Sequence, residues 1–259
     1  MMSEEKEFSA GYRWLKCDLH THTPASCDTP EMKGVSESEW LCAYMKQQID
    51  LVAITDHNTG RWIDPLKQAY STLKHDKIPS FRPLILIPGV EITTADGIHI
   101  LALFDPSVTT SFVENFLTNI GSPADARGDS SCTAAVGALA LISRIITSGG
   151  VAIPAHIDRR RGKGLLHLES ELLFPIVESS SIRVVESLTD GHGWPTGRRS
   201  WGVIAGSDSH TLSSEDPYSR FPGCIYTMLY TKPGSLKNLV QACAHPDRTR
   251  RVIPDHYLE

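Results

Sequence analysis

Short apolar runs alternate along the chain with longer segments that are apolar on one side only. Eight runs are rich in β-branched and aliphatic residues: WLKCDL, LVAIT, LILIPGV, HILALF, VAIPA, IRVVE, GVIAG and CIYTMLY. Runs of this length and composition are typical of strands in a parallel sheet that is covered on both faces. Their alternation with helical segments favours an α/β architecture over a β-sandwich or a helix bundle.

Helix signals lie between these runs. The sequence Ser36-x-x-Glu39 is a capping box and predicts a helix over 36–49. Asp64 is the predicted N-cap of the next helix, because Pro65 would then occupy the first helical position. Further helices are predicted over 133–148, before Gly149-Gly150, and over 235–244.

Composition indicates one soluble domain. The chain has 259 residues, of which 41% are hydrophobic and 21% charged, and α/β barrels of this size are single units. We therefore expect one domain over 1–259, with a short helical insertion over about 108–148. The final Leu258-Glu259 is compatible with an expression-vector tail, in which case the chain is a domain cut from a longer protein.

The location and the charge of the chain narrow the function classes. No run approaches the roughly 18 apolar residues of a membrane span, and the N-terminus is acidic without an apolar signal-peptide core. A cytoplasmic location without a membrane partner is the default expectation, and the six scattered cysteines are expected to be reduced thiols. A formal charge of -5 argues against a protein that coats nucleic acid through its overall field.

Metal-capable side chains follow almost every apolar run. They are His20, His22, Asp56, His57, Glu91, His156, Glu186, Asp208 and His210. In an α/β barrel the C-terminal ends of the strands meet at one face, so these residues would gather around one pocket. One such histidine alone is more often a core or surface residue. A whole cluster is costly to bury without cations, and the joint pattern therefore predicts a metal centre.

The mixture of imidazoles and carboxylates narrows the kind of metal site. Such donors suit Zn²⁺, Mn²⁺ or Fe, and the absence of a cysteine quartet argues against a purely structural zinc site. The sequence has no P-loop, no G-x-S-x-G elbow and no G-x-G-x-x-G turn. Hydrolysis of ATP by a P-loop, serine-esterase chemistry and dinucleotide binding therefore have no support.

The ordered motifs resemble the PHP (polymerase and histidinol phosphatase) domain family. The matching segments are DLHTHTPASCD, AITDHN, PGVEITT, IHILALF, AIPAHID and GSDSH, and together they span nearly the whole chain. The resemblance implies a distorted (β/α)7 barrel that holds two to three divalent metal ions and hydrolyses phosphate monoesters or phosphodiesters. It also extends to PHP domains that precede ATPase domains in larger proteins.

The resemblance also implies three groups of metal ligands. The first ion would be held by His20, His22, Glu91 and Asp208, the second by Asp28, His57 and His210, and the third by Glu91, His99 and His156. Asp28 stands where some relatives carry histidine. Its harder oxygen ligand favours Mn²⁺, Fe²⁺ or Mg²⁺ over Zn²⁺.

A phosphoesterase mechanism follows from such a cluster. A metal-bridged hydroxide would attack the phosphorus while the cations neutralise the phosphoryl oxygens. Glu91, Asp208 and His210 are the expected catalytic residues, with His192 as a general acid or substrate contact. Asp56 is expected to orient a ligand or to have a structural role, whereas Glu186 could equally orient a ligand or bind metal itself.

Two substrate classes remain open. The first is a phosphorylated small molecule, a nucleotide or an oligonucleotide end. The second is DNA or RNA, cut by a nuclease domain that works with a partner ATPase domain or subunit. A non-catalytic interaction module is disfavoured, because a degenerate relative would lose its metal ligands first.

Arginines after the proposed ligand His156 form the candidate phosphate grip. Arg159, Arg160 and Arg161 follow His156 by three to five residues, at the active-site face of the predicted barrel. An arginine can pair with a phosphate through two hydrogen bonds, which a lysine cannot reproduce. The alternatives are a solvated loop, or recognition by Arg198 and Arg199 instead.

Overall fold

A computed structural model describes residues 11–159, 164–189, 194, 201–213, 216 and 218–258. The strands are β1 (Arg13–Asp18), β2 (Leu51–Ile54), β3 (Ile85–Thr93), β4 (His99–Leu103), β5 (Val151–Pro154), β6 (Val184–Glu186), β7 (Gly202–Ile204), β8 (Tyr226–Thr231) and β9 (Thr249–Val252). The helices are α1 (Glu37–Lys46), α2 (Ile63–Asp76), α3 (Thr110–Asn119), α4 (Ala138–Thr147), α5 (Ser170–Val177) and α6 (Leu236–Cys243).

The strands form a large mixed sheet and a small separate one. The large sheet has the order β5-β4-β3-β2-β1-β8-β9, and β6 pairs with β7 in parallel. β1, β2 and β3 are parallel to one another. β4 runs antiparallel to both β3 and β5, β8 runs antiparallel to β1, and β9 runs antiparallel to β8. β6 and β7 lie between the two edges of the large sheet, beside β5 and β9.

The α/β class is confirmed, whereas the (β/α)7 barrel is not confirmed, because the described strands form a mixed seven-stranded sheet. A parallel connection needs a crossover of a dozen or more residues. Only residues 94–98 join β3 to β4, with Gly97 at a positive φ of 81°. This connection is too short for a crossover, so β3 and β4 form an antiparallel hairpin instead of a β-α-β unit.

Alternation of side chains along the strands separates two layers of core. Leu15 and Cys17 of β1 and Ala53 of β2 belong to an inner cluster. Val52 and Ile54 of β2 point the other way, into a second cluster that includes buried residues of α1 to α5. α6 adds Leu236, Leu239 and Cys243 to the inner cluster.

The apolar pattern located the strands better than it located the helix starts. All eight apolar runs form strands, and β9 was missed. The Ser36 capping box is present, with both of its hydrogen bonds between Ser36 and Glu39. The helix predicted over 133–148 corresponds to α4, which begins at Ala138 rather than at residue 133. In the part of the chain that the structure describes, no helix has the length and the apolar character that crossing a bilayer requires.

Asp64 does not cap its own helix, because it is paired with the start of another. α2 begins at Ile63, one residue before Asp64. The Asp64 N–H donates to Thr110 Oγ1 over 3.1 Å, and the Thr110 N–H donates to Asp64 Oδ2 over 3.1 Å. Each residue thus satisfies a free N–H at the beginning of the other's helix, and this exchange ties α2 to α3.

Candidate metal centre

All nine residues proposed as metal ligands lie together at one edge of the large sheet. His20, His57 and His156 follow the C-terminal ends of β1, β2 and β5, and Glu91 lies within β3. His99 instead begins β4. Because β4 runs antiparallel to β3 and β5, its first residue lies at the edge where those two strands end.

Two backbone features bring Asp208 into this cluster. A Cβ atom on Gly206 would lie 2.7 Å from the Cβ of His20, so only glycine allows this close approach. The Asp208 N–H then donates to the His20 carbonyl over 2.8 Å. Asp208 itself has φ 51°, a left-handed conformation that aspartate tolerates better than most residues.

Glu91 is the central carboxylate of the cluster. Its Oε2 lies 3.2 Å from His20 Nε2, 3.5 Å from His22 Nε2 and 2.9 Å from His57 Nδ1. Its Oε1 lies 3.2 Å from His156 Nε2 and also contacts His99 Nδ1. One buried side chain therefore faces five imidazoles.

The cluster opens to solvent at Asp28 and His210. Asp28 Oδ2 lies 3.1 Å from His57 Nε2 and 3.4 Å from His210 Nε2. The side chains of Asp28 and His210 are 40% and 31% exposed, whereas Glu91 is fully enclosed. A ligand from solvent therefore reaches the cluster past these two residues.

Three overlapping groups of donor atoms could each hold a metal ion. In each group the donor atoms lie within 4.8 Å of one another, and the groups are His20/His22/Asp208, His22/His57/His210 and His57/Glu91/His99. The first group agrees with the first ion that the family resemblance implied. The other two differ from the implied sets by one residue each. His22 stands in place of Asp28 beside His57 and His210, and His57 stands in place of His156 beside Glu91 and His99.

The far nitrogens of three histidines are held by hydrogen-bond acceptors. His20 Nδ1 lies 2.7 Å from Glu186 Oε2, and His210 Nδ1 lies 2.8 Å from the Asp208 carbonyl. A carboxylate or carbonyl can only accept, so Nδ1 carries the proton in each ring, and in the neutral ring Nε2 keeps a lone pair for a metal ion. Glu186 therefore orients His20, which is one of the two roles that the sequence left open.

Ser26 does the same for His22. Its Oγ donates to Asp56 Oδ1 over 2.8 Å, which leaves the oxygen to accept from His22 Nδ1 at 3.0 Å. Asp56 also accepts from the backbone and hydroxyl of Thr23, each at 2.7 Å. Asp56 thus fixes the turn over 23–26 and, through Ser26, leaves the Nε2 lone pair of His22 facing Asp208.

Buried polar atoms without a hydrogen bond are concentrated at this site. They include His20 Nε2, His57 Nδ1, Glu91 Oε2, His99 Nε2 and His156 Nδ1. Buried nitrogen and oxygen atoms are normally satisfied, so each orphaned atom needs an explanation. Glu91 Oε2 lies 3.2 Å from His20 Nε2 and 2.9 Å from His57 Nδ1, and the mixed imidazole and carboxylate donors fit divalent metal ions.

The charges of the cluster also fit cations. Burial alone would raise the pKa of Glu91, but the surrounding histidines, His99 first, lower it well below its usual range. Burial lowers the pKa of His22 to about 3 and that of His99 to about 4. Despite burial, Glu91 and Asp28 raise the pKa of His57 to about 10, and Glu186 and Glu91 raise the pKa of His20 well above its usual range. Metal binding would therefore displace protons from these two rings, whereas Glu91, His22 and His99 already have the protonation states in which such groups bind metal.

A segment from the β4 to β5 connection braces the loop that carries Asp28. The Cys27 N–H donates to the Gly128 carbonyl over 2.8 Å, and a Cβ at Gly128 would lie 2.3 Å from the Ala25 carbonyl oxygen. Asn58 Nδ2 donates to the carbonyls of Asp129 and Cys132. The expected insertion over 108–148 thus contains α3, α4 and the contacts that hold the Asp28 loop in place.

A side pocket of about 400 Å³ lies next to the cluster. His156 and Asp208 form its wall towards the cluster, and Arg159, Arg220 and Tyr257 are among its other lining residues. Arg159 is half exposed, with one terminal nitrogen 3.4 Å from Asp208 Oδ2. A larger cavity of about 610 Å³ lies elsewhere, beside Val151 and Ser235, and contains none of the clustered ligands.

Some predicted residues fall outside the described part of the chain, and some contributors were missed. Arg160, Arg161, His192, Arg198 and Arg199 lie outside the described residues. Sequence reasoning missed Arg220 and Ser26, which carry no motif of their own. It also missed Asp18, whose buried carboxylate accepts the Ser207 N–H over 2.9 Å, although its place at the end of β1 was a signal.

Comparisons with known proteins show a shared fold. No protein-family model matches the sequence. A Streptococcus pneumoniae protein of uncharacterised function is 42% identical over 64 residues, 24% of each chain. The structure of the lesion-specific endonuclease PfuEndoQ from Pyrococcus furiosus matches 92% of this chain with a TM-score of 0.64 and 17% identity.

Two further solved structures match nearly the whole chain. One is endonuclease Q in complex with a 27-mer duplex carrying an abasic lesion, with a TM-score of 0.62 and 18% identity over 89% of this chain. The other is a two-domain Bacteroides vulgatus protein containing a predicted PHP-like metal-dependent phosphoesterase, with a TM-score of 0.54 and 16% identity over 94% of this chain. The chain spans 58%, 56% and 66% of the lengths of these three structures.

Proposed function

We propose that the protein is a PHP-type metal-dependent phosphoesterase that hydrolyses phosphate esters at the clustered histidines and carboxylates. The observation that supports this most directly is the convergence of Glu91 and eight other donor residues, with five buried donor atoms left without a hydrogen bond. The shared fold with PHP-like structures adds to the argument. His20, His22, Asp28, His57, Glu91, His99, His156, Asp208 and His210 would hold two to three divalent ions.

The division of labour within the site follows from burial and charge. Bound divalent cations lower the pKa of coordinated water and neutralise charge that builds on the phosphoryl oxygens. Glu91, closed off from solvent, fixes the histidines around it, while Asp28 and His210 stand where a substrate enters. Manganese, zinc, iron and magnesium remain the candidate ions, and the Asp28 carboxylate favours the oxygen-seeking ones.

Arg159 is the proposed grip on the substrate phosphate. It lies between the side pocket and Asp208, so its guanidinium can pair with phosphoryl oxygens that do not react. The side pocket would then receive the group attached to the phosphate. Its volume of about 400 Å³ is within the range of small-molecule sites. His192 as a proton donor stays a prediction.

A nuclease is the second candidate function. Two of the matching structures are endonuclease Q, one of them with a duplex at its active site, and this likeness favours a nucleic-acid substrate. The partner ATPase domain or subunit and the cytoplasmic location stay predictions.

Substrate profiling tests both candidates. The protein is assayed with added Mn²⁺ or Zn²⁺ on an aryl phosphate, an aryl phosphodiester, nucleoside monophosphates, sugar phosphates and labelled oligonucleotides. We expect hydrolysis of at least one class, and its loss in His22→Ala and Asp208→Ala. His75→Ala is the matched control, because this histidine is exposed and remote from the cluster. Full activity in both ligand variants would contradict the proposal.

A further inference from the structure

The outward face of β1, β8 and β9 carries aromatic side chains that no helix layer buries. The strand register pairs Trp14 of β1 with Tyr230 of β8. The adjacent pair, Leu15 and Leu229, faces the inner core, so Trp14 and Tyr230 face outward. Tyr12, Trp14, Tyr226 and Tyr230 occur in none of the hydrophobic clusters formed by the described residues. Tyr12 is 50% exposed and Tyr230 37% exposed. We call this surface the aromatic face.

Cations lie over the rings of the aromatic face. Arg250 stacks over Trp14 at 4.7 Å, and Arg248 lies over Tyr12 at 5.4 Å. Tyr230 lies between the two rings, 5.8 Å from Tyr12 and 5.5 Å from Trp14. Such contacts hold the guanidinium groups at defined positions on the surface.

A third cation, Lys16, continues the pattern towards the metal centre along the same strands. Lys16 Nζ lies 4.2 Å from the centre of the Tyr226 ring and donates one hydrogen bond to the Gln47 carbonyl. Lys16 and Tyr226 are both nearer than Trp14 to the ends of the strands where the ligands lie. The aromatic face is therefore an extended strip rather than an isolated patch.

The charge of the aromatic face is opposite to that of the whole chain. The chain has a formal net charge of -5. The outward positions of β1, β8 and β9 together with Tyr12 and Arg248 supply three cations, two of them arginines, and one carboxylate. That carboxylate, Asp18, is buried and accepts the N–H groups of Ser207 and Gly223, so the exposed charge of the face is positive. The complementary partner is therefore an anion that also offers flat apolar groups.

We propose that the aromatic face binds single-stranded nucleic acid, with bases stacking on Tyr12 and Tyr230 and phosphates paired with Arg248 and Arg250. Unpaired bases stack on aromatic rings and on guanidinium planes, while a basic strip follows the backbone. A duplex would offer the phosphates but not the base faces, and an acidic peptide would use only the cations. This inference goes beyond the proposed hydrolysis, because it concerns a surface outside the metal centre.

The position of the aromatic face relates it to that centre. β1 carries Trp14 near its start and leads, past Asp18, to His20. At about 3.3 Å per residue, six residues of strand correspond to about 20 Å. A single strand held on the aromatic face therefore has one end within a few nucleotides of the metal ligands.

Binding is tested on the full chain as purified, with a fluorescent single-stranded oligonucleotide whose integrity is checked on a gel after each measurement. We expect saturable binding that weakens as salt rises. Tyr12→Ala combined with Tyr230→Ala should weaken binding at least tenfold. Arg248→Ala and Arg250→Ala should each reduce the slope of log affinity against log salt by about 0.7.

Matched controls separate this surface from general charge and folding. Arg61→Ala removes an exposed arginine elsewhere, and Phe174→Ala removes an exposed aromatic ring elsewhere. Both should bind as the unaltered protein does. Unfolding temperatures are measured for all variants. If a tyrosine variant is unstable, Arg250→Glu replaces it in the test, because the Arg250 side chain is exposed and its charge reversal should also weaken binding.

Four results would overturn the proposal. They are no binding of the single strand, unchanged binding in the aromatic-face variants, tighter binding of a duplex of the same length, and equal binding of polyglutamate. The assay measures binding of an intact oligonucleotide and not its hydrolysis. Failure of this proposal can therefore be distinguished from failure of the proposed phosphoesterase activity.

Discussion

Glu186→Gln is the substitution that best tests how the metal centre is held. Glu186 Oε2 accepts from His20 Nδ1 at 2.7 Å and from the His156 N–H at 3.1 Å, and Oε1 accepts the Gly206 N–H at 3.1 Å. Glutamine has the same shape but only one accepting oxygen and no charge. At least one of the three buried donors therefore loses its partner.

The size of the effect follows from the two orientations of the new amide. With its oxygen towards His20, the NH2 group opposes the Gly206 N–H, and one unsatisfied buried donor costs about 1–3 kcal/mol. With the NH2 group towards His20, the ring proton must move to Nε2, the nitrogen that faces Glu91. Either way the carboxylate that supports His20 is gone, and such changes weaken metal affinity or activity by about 10–100-fold.

The assay measures kcat/KM as a function of added Mn²⁺, together with metal content and unfolding temperature. We expect the half-saturating metal concentration to rise about 10–100-fold and activity to recover at high metal. Glu178→Gln, at the exposed end of α5, is the matched control and should leave the metal dependence unchanged. A Glu186→Gln protein that is less stable but has an unaltered metal dependence would refute the orienting role.

Three other predictions concern the metals, the substrate and the fold. An ion present at 100 times its Kd adds about 2.7 kcal/mol to the free energy of unfolding, so removing it with a chelator should lower the unfolding temperature by roughly 5–10 °C. An unchanged unfolding temperature in calorimetry would contradict bound metal. Arg159→Ala should lower kcat/KM at least about tenfold with metal content intact, whereas Arg61→Ala should not. Asp64→Ala and Thr110→Val should each cost about 0.5–2 kcal/mol in denaturant unfolding. The double variant should cost less than their sum, and strict additivity would argue against the shared capping.

Side-chain alternation and local motifs made the ligands predictable. Ile87, Gly89 and Glu91 share one side of β3, so a carboxylate at the end of an inward-facing apolar series was visible in the sequence. His20-x-His22 and Asp208-x-His210 follow strands directly. These signals depend only on residues that are close in the sequence, so they do not change with the order or the direction of the strands in the sheet.

Features set by distant packing could not be read in the same way. The antiparallel directions of β4 and β8 and the separate β6 and β7 sheet depend on how the whole chain closes. β9 reads TRRV, without an apolar run, because the outward side of this edge strand faces solvent. Arg220 reaches the side pocket from a loop, where neither periodicity nor spacing marks it.

The division of the strands into two sheets gives the metal centre a mechanical role. The sheets meet beside the site through a few bonds, such as Thr227 Oγ1 with the backbone of Ala205, rather than through a continuous ladder of described residues. His22 and Asp208 belong to opposite sides of this junction and are 186 residues apart in the chain. An ion held between them would act as a removable cross-link, and it would stabilise the folded chain because it binds the folded chain in preference to the unfolded one. The β6 and β7 sheet should therefore come loose first when the metal leaves, ahead of the seven-stranded sheet.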